Sequence, residues 1–255
     1  MSFKDILKTA LGSASQMLFP EEITCIACGN ELDGTTRNNL CAECPLEYNK
    51  TFCHCCGRKI ANLAELCDKC IEHGTHKFDL ARSSVVFNDT AKKLIYSFKY
   101  GGASYLASYL AAFMAETFKE NGFIADMITF VPLHKKRQRK RGYNQSELLA
   151  QELSKQLIVP CAGLLKKIEY TKNLARLNQK ERAQIIKGTF EFFGEKSVAN
   201  GKRILLVDDV LTTGATCDEC AELLKKIGAK SVFVLTFASV QVKPTLMQER
   251  VLSEY

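Results

Sequence analysis

Ile204-Leu-Leu-Val-Asp-Asp-Val-Leu-Thr-Thr-Gly-Ala-Thr216 decides the fold. Its first four residues are continuously aliphatic, the pattern of a strand buried on both faces of a parallel sheet. Two carboxylates follow, Asp208 and Asp209, and then a run of small residues opens a helix over 217–227 that Gly228 ends. In open α/β sheets ligands bind beyond the carboxyl ends of the strands. There, Thr212, Thr213, Gly214, Ala215 and Thr216 can wrap backbone N–H groups and hydroxyls round a phosphate, and the helix N-terminus adds partial positive charge. The two acids would repel a bare phosphate. Two acceptors beside a phosphate suit the 2′- and 3′-hydroxyls of a ribose and water bound to Mg²⁺.

Outward from this stretch, residues 83–87, 127–131, 188–193 and 231–237 read as further strands, and 90–99, 104–120 and 144–157 as amphipathic helices. Alternation of this kind implies a parallel sheet with helices on both faces. Residues 3–18 have helical apolar spacing with a polar face that is not notably basic, so a helix docked on the protein is favoured over one lying on a membrane. The tail beyond about 243 reads as a helix or frayed end. No signal peptide is visible and no stretch reaches the roughly 20 apolar residues of a membrane span. A cytoplasmic protein with reduced thiols is expected.

The chain has 255 residues and a formal charge of +7. Residues 1–76 hold seven Lys/Arg against ten Asp/Glu, so the basic character sits in the C-terminal part. It concentrates in Val131-Pro-Leu-His-Lys-Lys-Arg-Gln-Arg-Lys-Arg-Gly-Tyr-Asn-Gln145, read as a loop, in which six of residues 135–141 are Lys or Arg. The loop follows a strand end, which puts it near the same cleft. A solvated face is one reading. The other is an anion site, because Arg pairs bidentately with a pyrophosphate. The charge exceeds what one pyrophosphate needs, so single-stranded nucleic acid is a second candidate, held by Lys135, Lys136, Arg137, Arg139, Lys140, Arg141 and Asn144 with Tyr143 as a stacking ring.

Nine of the twelve cysteines fall between Cys25 and Cys70. Four C-x-x-C pairs occur: Cys25/Cys28, Cys41/Cys44, Cys53/Cys56 and Cys67/Cys70. Two pairs run directly into glycines, Gly29 and Gly57, that permit the tight turn of a metal knuckle. Four thiolates in a tetrahedron suit Zn²⁺ in a closed structural site, so two zinc ions are expected. Sequential and cross-braced pairing both remain open. Cys55 is expected to be a spare, and His54, His73 and His76 to be surface residues. Cys217 and Cys220 read as packing residues.

The 204–216 stretch closely resembles the binding motif for 5-phosphoribosyl-1-pyrophosphate (PRPP) of type I phosphoribosyltransferases. The resemblance puts the ribose hydroxyls on Asp208 and Asp209 and the 5′-phosphate on 212–216. Met17-Leu-Phe-Pro20, the C-x-x-C-G knuckles, Phe98-Lys-Tyr-Gly-Gly102, Val131–His134, Arg141–Gln145 and 204–216 also occur in the order seen in ComF proteins, and the chain resembles a ComFC-type member over nearly its whole length. The resemblance implies an α/β phosphoribosyltransferase (PRTase type I) domain over 77–245 with a parallel sheet. A small double zinc ribbon over 21–76 precedes it, with an N-terminal helix over 1–20 and a tail over 246–255. It gives Lys99 a catalytic role beside Asp208 and Asp209, puts Leu133, His134, Lys135 and Arg137 at the PRPP, and makes 173–188 a basic lid. A helix-capping Lys99 and a plain surface loop remain the alternatives.

Such proteins are associated with DNA uptake in natural transformation. One expectation is a protein that binds PRPP with Mg²⁺ and handles single-stranded DNA beside a DNA-uptake helicase or other competence proteins. The other is a working transferase that releases pyrophosphate. No base-recognition hood is visible in the sequence for the second.

Overall fold

The computed structural model describes residues 24–32, 37–60, 65–72, 74, 76–170 and 184–242. The expected N-terminal helix with Met17–Pro20, His73, most of the 173–188 segment and the 246–255 tail lie outside the described residues. The chain divides at Pro45 into two compact units, 1–45 and 46–255. The first four-cysteine cluster falls in the smaller unit and the second in the larger.

In chain order the larger unit holds α1 (Asp68–Glu72), β1 (Leu80–Val86), α2 (Asp89–Tyr100), α3 (Leu106–Glu120), β2 (Met127–Phe130), α4 (Lys135–Arg141), α5 (Gln145–Leu157), β3 (Leu165–Lys167), β4 (Phe190–Phe192), β5 (Arg203–Leu211), α6 (Ala215–Lys226) and β6 (Ser231–Ser239). Four strands form a sheet in the order β1-β6-β5-β2, every pairing parallel. α3 and α5 pack on one face, and α6 on the other. Covered on both sides, the central strand needs no polar face: Ile204, Leu205, Leu206 and Val207 are all buried. Ile204 and Leu206 join Val232 and Val234 in the cluster that packs on Leu224 and Ala221 of α6.

Local sequence sets the helix ends. Asn88 caps α2 by accepting from the Ala91 N–H at 2.9 Å, and the helix buries Ala91, Leu94, Ile95 and Phe98 at helical spacing. Asn144 caps α5 in the same way, accepting from Ser146 N–H at 3.2 Å.

Two expectations change. The basic stretch is a helix, α4, not a loop: His134 caps its start through Nδ1, and Gly142, at φ 91, ends it. A run of Lys and Arg forms helix readily when both ends are capped. The strand expected at 188–193 leaves the main sheet and pairs antiparallel with β3. No helix among the described residues is long and apolar enough to cross a membrane.

Candidate functional site

The carboxyl ends of all four parallel strands converge on one cleft of about 330 Å³. Phe87 brings in the end of β1, Val131 that of β2, Val240 that of β6, and β5 contributes Asp208, Asp209, Val210 and then Thr212. Among the residues singled out in the sequence, Lys99, Leu133, His134, Arg137, Asp208, Asp209, Thr212 and Thr216 line it. Thr213, Gly214 and Ala215 do not, and Lys135 lines an adjoining cavity of about 630 Å³.

The two acids sit on the centre of the sheet and diverge. Asp208 Oδ1 accepts from Ser146 Oγ of α5 at 2.8 Å and from the Asp209 N–H at 2.9 Å. Asp209 is buried and pairs with Lys99 Nζ of α2 at 2.8 Å. The lysine is thus a counter-ion of the acidic pair. Burial, and then the charge of Asp209, push the Asp208 carboxyl up to about 7 against the opposing pull of Lys99 and Ser146.

β5 ends at Leu211, and Thr212–Gly214 turn into α6. Gly214, at φ 85, is the residue before the helix; a side chain there would be strained by that φ and would meet the His76 ring. Ala215 N–H donates to Thr213 Oγ1 at 3.4 Å. The first-turn N–H groups of α6 have no acceptor within the helix, the usual condition of a phosphate-binding N-terminus.

Cations complete the lining. Lys167 of β3, invisible as a site residue in the sequence, is half-buried in the cleft wall, and burial and Arg137 both lower its pKa. His134, also lowered by burial and then by Lys136, keeps Nδ1 as an acceptor from the Lys136 N–H at 3.2 Å. Lys135, Lys136, Arg139 and Lys140 are exposed on α4.

Two expected nucleic-acid contacts have structural tasks instead. Asn144 is buried, capping α5 and donating through Nδ2 to Val131 O at 3.1 Å. Tyr143 is half-buried, tilted against Phe98 at 5.8 Å, and donates its hydroxyl to Phe98 O. Exposed rings next to α4 include Tyr96 and Tyr100, 65% and 66% exposed with centroids 5.1 Å apart, the Arg141 guanidinium standing 5.2 Å over Tyr100, and Tyr170, with Lys136 and Arg137 over it.

The cysteines cluster sequentially, Cys25/Cys28/Cys41/Cys44 and Cys53/Cys56/Cys67/Cys70, with the sulfurs of each set within 4.8 Å of one another. A tetrahedral ion with bonds of about 2.3 Å sets its sulfurs roughly 3.8 Å apart. Cys28–Cys41 and Cys56–Cys67 lie at 3.6 and 3.7 Å. The knuckles repeat one geometry, with Gly29 N–H donating to Cys25 O and Gly57 N–H to Cys53 O, each at 2.8 Å. Both clusters fit zinc. Cys55 stands outside the ligand set, and His54 is exposed. His76 is no surface residue: its side chain is 8% exposed and its Nδ1 lies 2.8 Å from Asp218 Oδ2.

Residues 144–248 match the family model of the phosphoribosyl transferase domain. Competence protein F of Haemophilus influenzae is 30% identical over 218 residues, 82% of this chain and 94% of that protein. DNA utilization protein YhgH of Escherichia coli is 30% identical over 208 residues, covering 76% of this chain and 88% of its own. Competence protein ComFC of Bacillus subtilis is 28% identical over 230 residues, covering 86% and 85%.

Proposed function

Because the chain belongs to the competence protein F family, we propose that its cleft binds PRPP with Mg²⁺ and that α4 handles single-stranded DNA during uptake in natural transformation, in the cytoplasm. One observation carries the reading: an acidic pair and a small-residue helix-opening loop meet Lys99, Arg137 and Lys167 in one cleft at the strand ends. In this reading residues 212–216 hold the 5′-phosphate, and Asp208 and Asp209 take the ribose hydroxyls and water on Mg²⁺. Leu133, His134 and the cations Lys99, Arg137 and Lys167 face the pyrophosphate. Mg²⁺, when bound, neutralises charge on the pyrophosphate. The two zinc sites are structural.

A ligand that donates to Asp208 binds its ionised form. Burial and then the charge of Asp209 push the Asp208 carboxyl up to about 7, so PRPP affinity should rise about tenfold between pH 6 and pH 8 and level off above. Calorimetry in buffers of different ionisation enthalpy should show a proton released on binding near neutrality. An affinity flat across that window would mean that Asp208 is not at the ligand.

The DNA part rests on α4, whose six cations have no acidic residue among them, and on the exposed Tyr96 and Tyr100 beside Arg141, since bases stack on such rings. If all six cations meet phosphates, log K should fall against log salt with a slope of about −4. Reversing the charges of 135–141 should flatten it. A salt-independent affinity removes the DNA reading.

The adjoining cavity favours a second reading, an active transferase. Its lining includes Phe130, Phe193, Gln138 and Glu147, and it shares Pro132, Leu133, His134 and Lys167 with the PRPP cleft. β3 and the end of β4 supply part of its wall, the enclosure that the sequence did not reveal. An acceptor there would attack the anomeric carbon of PRPP as pyrophosphate departs. Pyrophosphate release on adding bases or amines separates the two readings.

A further inference from the structure

One side chain reaches from the second cysteine site into the phosphate loop. Arg58 is 2% exposed. Its Nε donates to Cys56 Sγ at 3.2 Å and an Nη lies 3.9 Å from Cys67 Sγ. Its other Nη donates to the backbone O of Thr212, 154 residues away, at 3.2 Å.

A guanidinium does not give up its proton, and a buried charge persists only when paired. Four thiolates round a dication leave a net charge of −2, and Arg58 is placed to offset half of it. Its fork is planar and rigid, so its sulfur contacts fix where the Thr212 contact falls. Without metal the sulfurs are no longer held together round one ion, so their contacts no longer fix where the guanidinium meets the Thr212 carbonyl.

The knuckle is packed against the start of β1 and against Asn49. A Cβ on Gly57 would stand 2.2 Å from Ala81 O, Asn49 Nδ2 donates to Gly57 O at 2.7 Å, and Ala81 N–H donates to Cys55 O at 2.9 Å. A second contact reaches the loop from the same side. The His76 ring stacks on Phe78 at 4.4 Å, pairs with Asp218 at the start of α6, and lies 2.8 Å from where a Gly214 Cβ would stand.

We propose that metal in the Cys53/Cys56/Cys67/Cys70 site and phosphate in the 212–216 loop are coupled ligands, with Arg58 as the positioning residue that joins them. This rests on the phosphate-loop reading above. The coupling is reciprocal: metal tightens the loop's ligand by the factor by which that ligand tightens metal. A chain short of zinc would then lose PRPP binding as well as local structure.

The test is hydrogen exchange of the 212–216 amides in the full chain, zinc-loaded, zinc-stripped by a zinc-selective chelator, and zinc-loaded with Arg58→Lys. Lysine keeps the charge beside the sulfurs but cannot span to Thr212. Stripping should speed exchange of these amides about tenfold, within the usual range of such couplings. Arg58→Lys should show the same acceleration with two zinc ions still bound, and a PRPP affinity lower by a similar factor. Slower zinc release with PRPP present should be seen in the parent and lost in Arg58→Lys. If the stripped chain unfolds throughout, the loaded pair alone decides. Loop exchange in loaded Arg58→Lys equal to that of the parent overturns the coupling. A parent that binds no PRPP defeats the proposed function instead, since the exchange readout needs no PRPP.

Discussion

Asp208→Asn combined with Asp209→Asn should weaken PRPP binding by about 10² to 10³-fold. Hydrogen bonds to charged groups contribute about 1.5–3 kcal/mol each, and each 1.4 kcal/mol is about tenfold in affinity. Two carboxylates turned into amides lose much of two such bonds, along with the charge that orders water on Mg²⁺. The fold should survive. Burial already disfavours the charge on Asp208, so neutralising it relieves a cost. Lys99, whose side chain is 21% exposed, can turn to solvent when Asp209 is gone. Single-stranded DNA binding on α4 should not change, which separates this variant from charge reversal of 135–141. Calorimetric affinity within about threefold of the parent would place the ribose elsewhere.

Cys56→Ser should cost the larger unit most of its stability. Apparent binding energies of structural zinc run to about 10–16 kcal/mol in small modules, while whole domains are stable by only about 5–15 kcal/mol. Cys56 is fully buried, and the segment that carries it runs along β1, the outer strand of the sheet. Asn49 N–H donates to Ser84 O at 3.1 Å, Val86 N–H to Glu47 O at 2.8 Å, and Tyr48 bridges Val85. Releasing that segment exposes the edge of β1 as well as the knuckle. Metal analysis should give two zinc ions in the parent and one in Cys56→Ser, with a melting temperature lower by ten degrees or more and rapid proteolysis near residues 46–60. One zinc or none in the parent would undo the ligand assignment.

Much of this was legible because the signals are local. Ile204–Val207 can only be a strand covered on both faces, and the glycine at 214 marks the turn into α6. The cysteine spacing pointed to two four-cysteine clusters, and the structure groups them sequentially. What stayed hidden depends on distant partners. Nothing near Arg58 in the sequence announces Thr212, and Ser146 reaches Asp208, and Lys167 the cleft, only through the packing of α5 and β3. Tyr143 and Asn144 read as ligand contacts because they follow six cations; in the fold Asn144 is buried at the junction of β2 and α5, and Tyr143 packs on Phe98 of α2. The capping signals His134 and Gly142, which make a helix of the basic stretch, were present in the sequence but were outweighed there by its charge. The small β3–β4 pair could not be read as an enclosure, because two three-residue strands carry no periodicity.

A crystal structure of the chain with PRPP and Mg²⁺ tests the central claim most directly. The 5′-phosphate should lie on the amides and hydroxyls of 212–216, with both ribose hydroxyls on Asp208 and Asp209. A ligand bound elsewhere while that turn stays empty would contradict it.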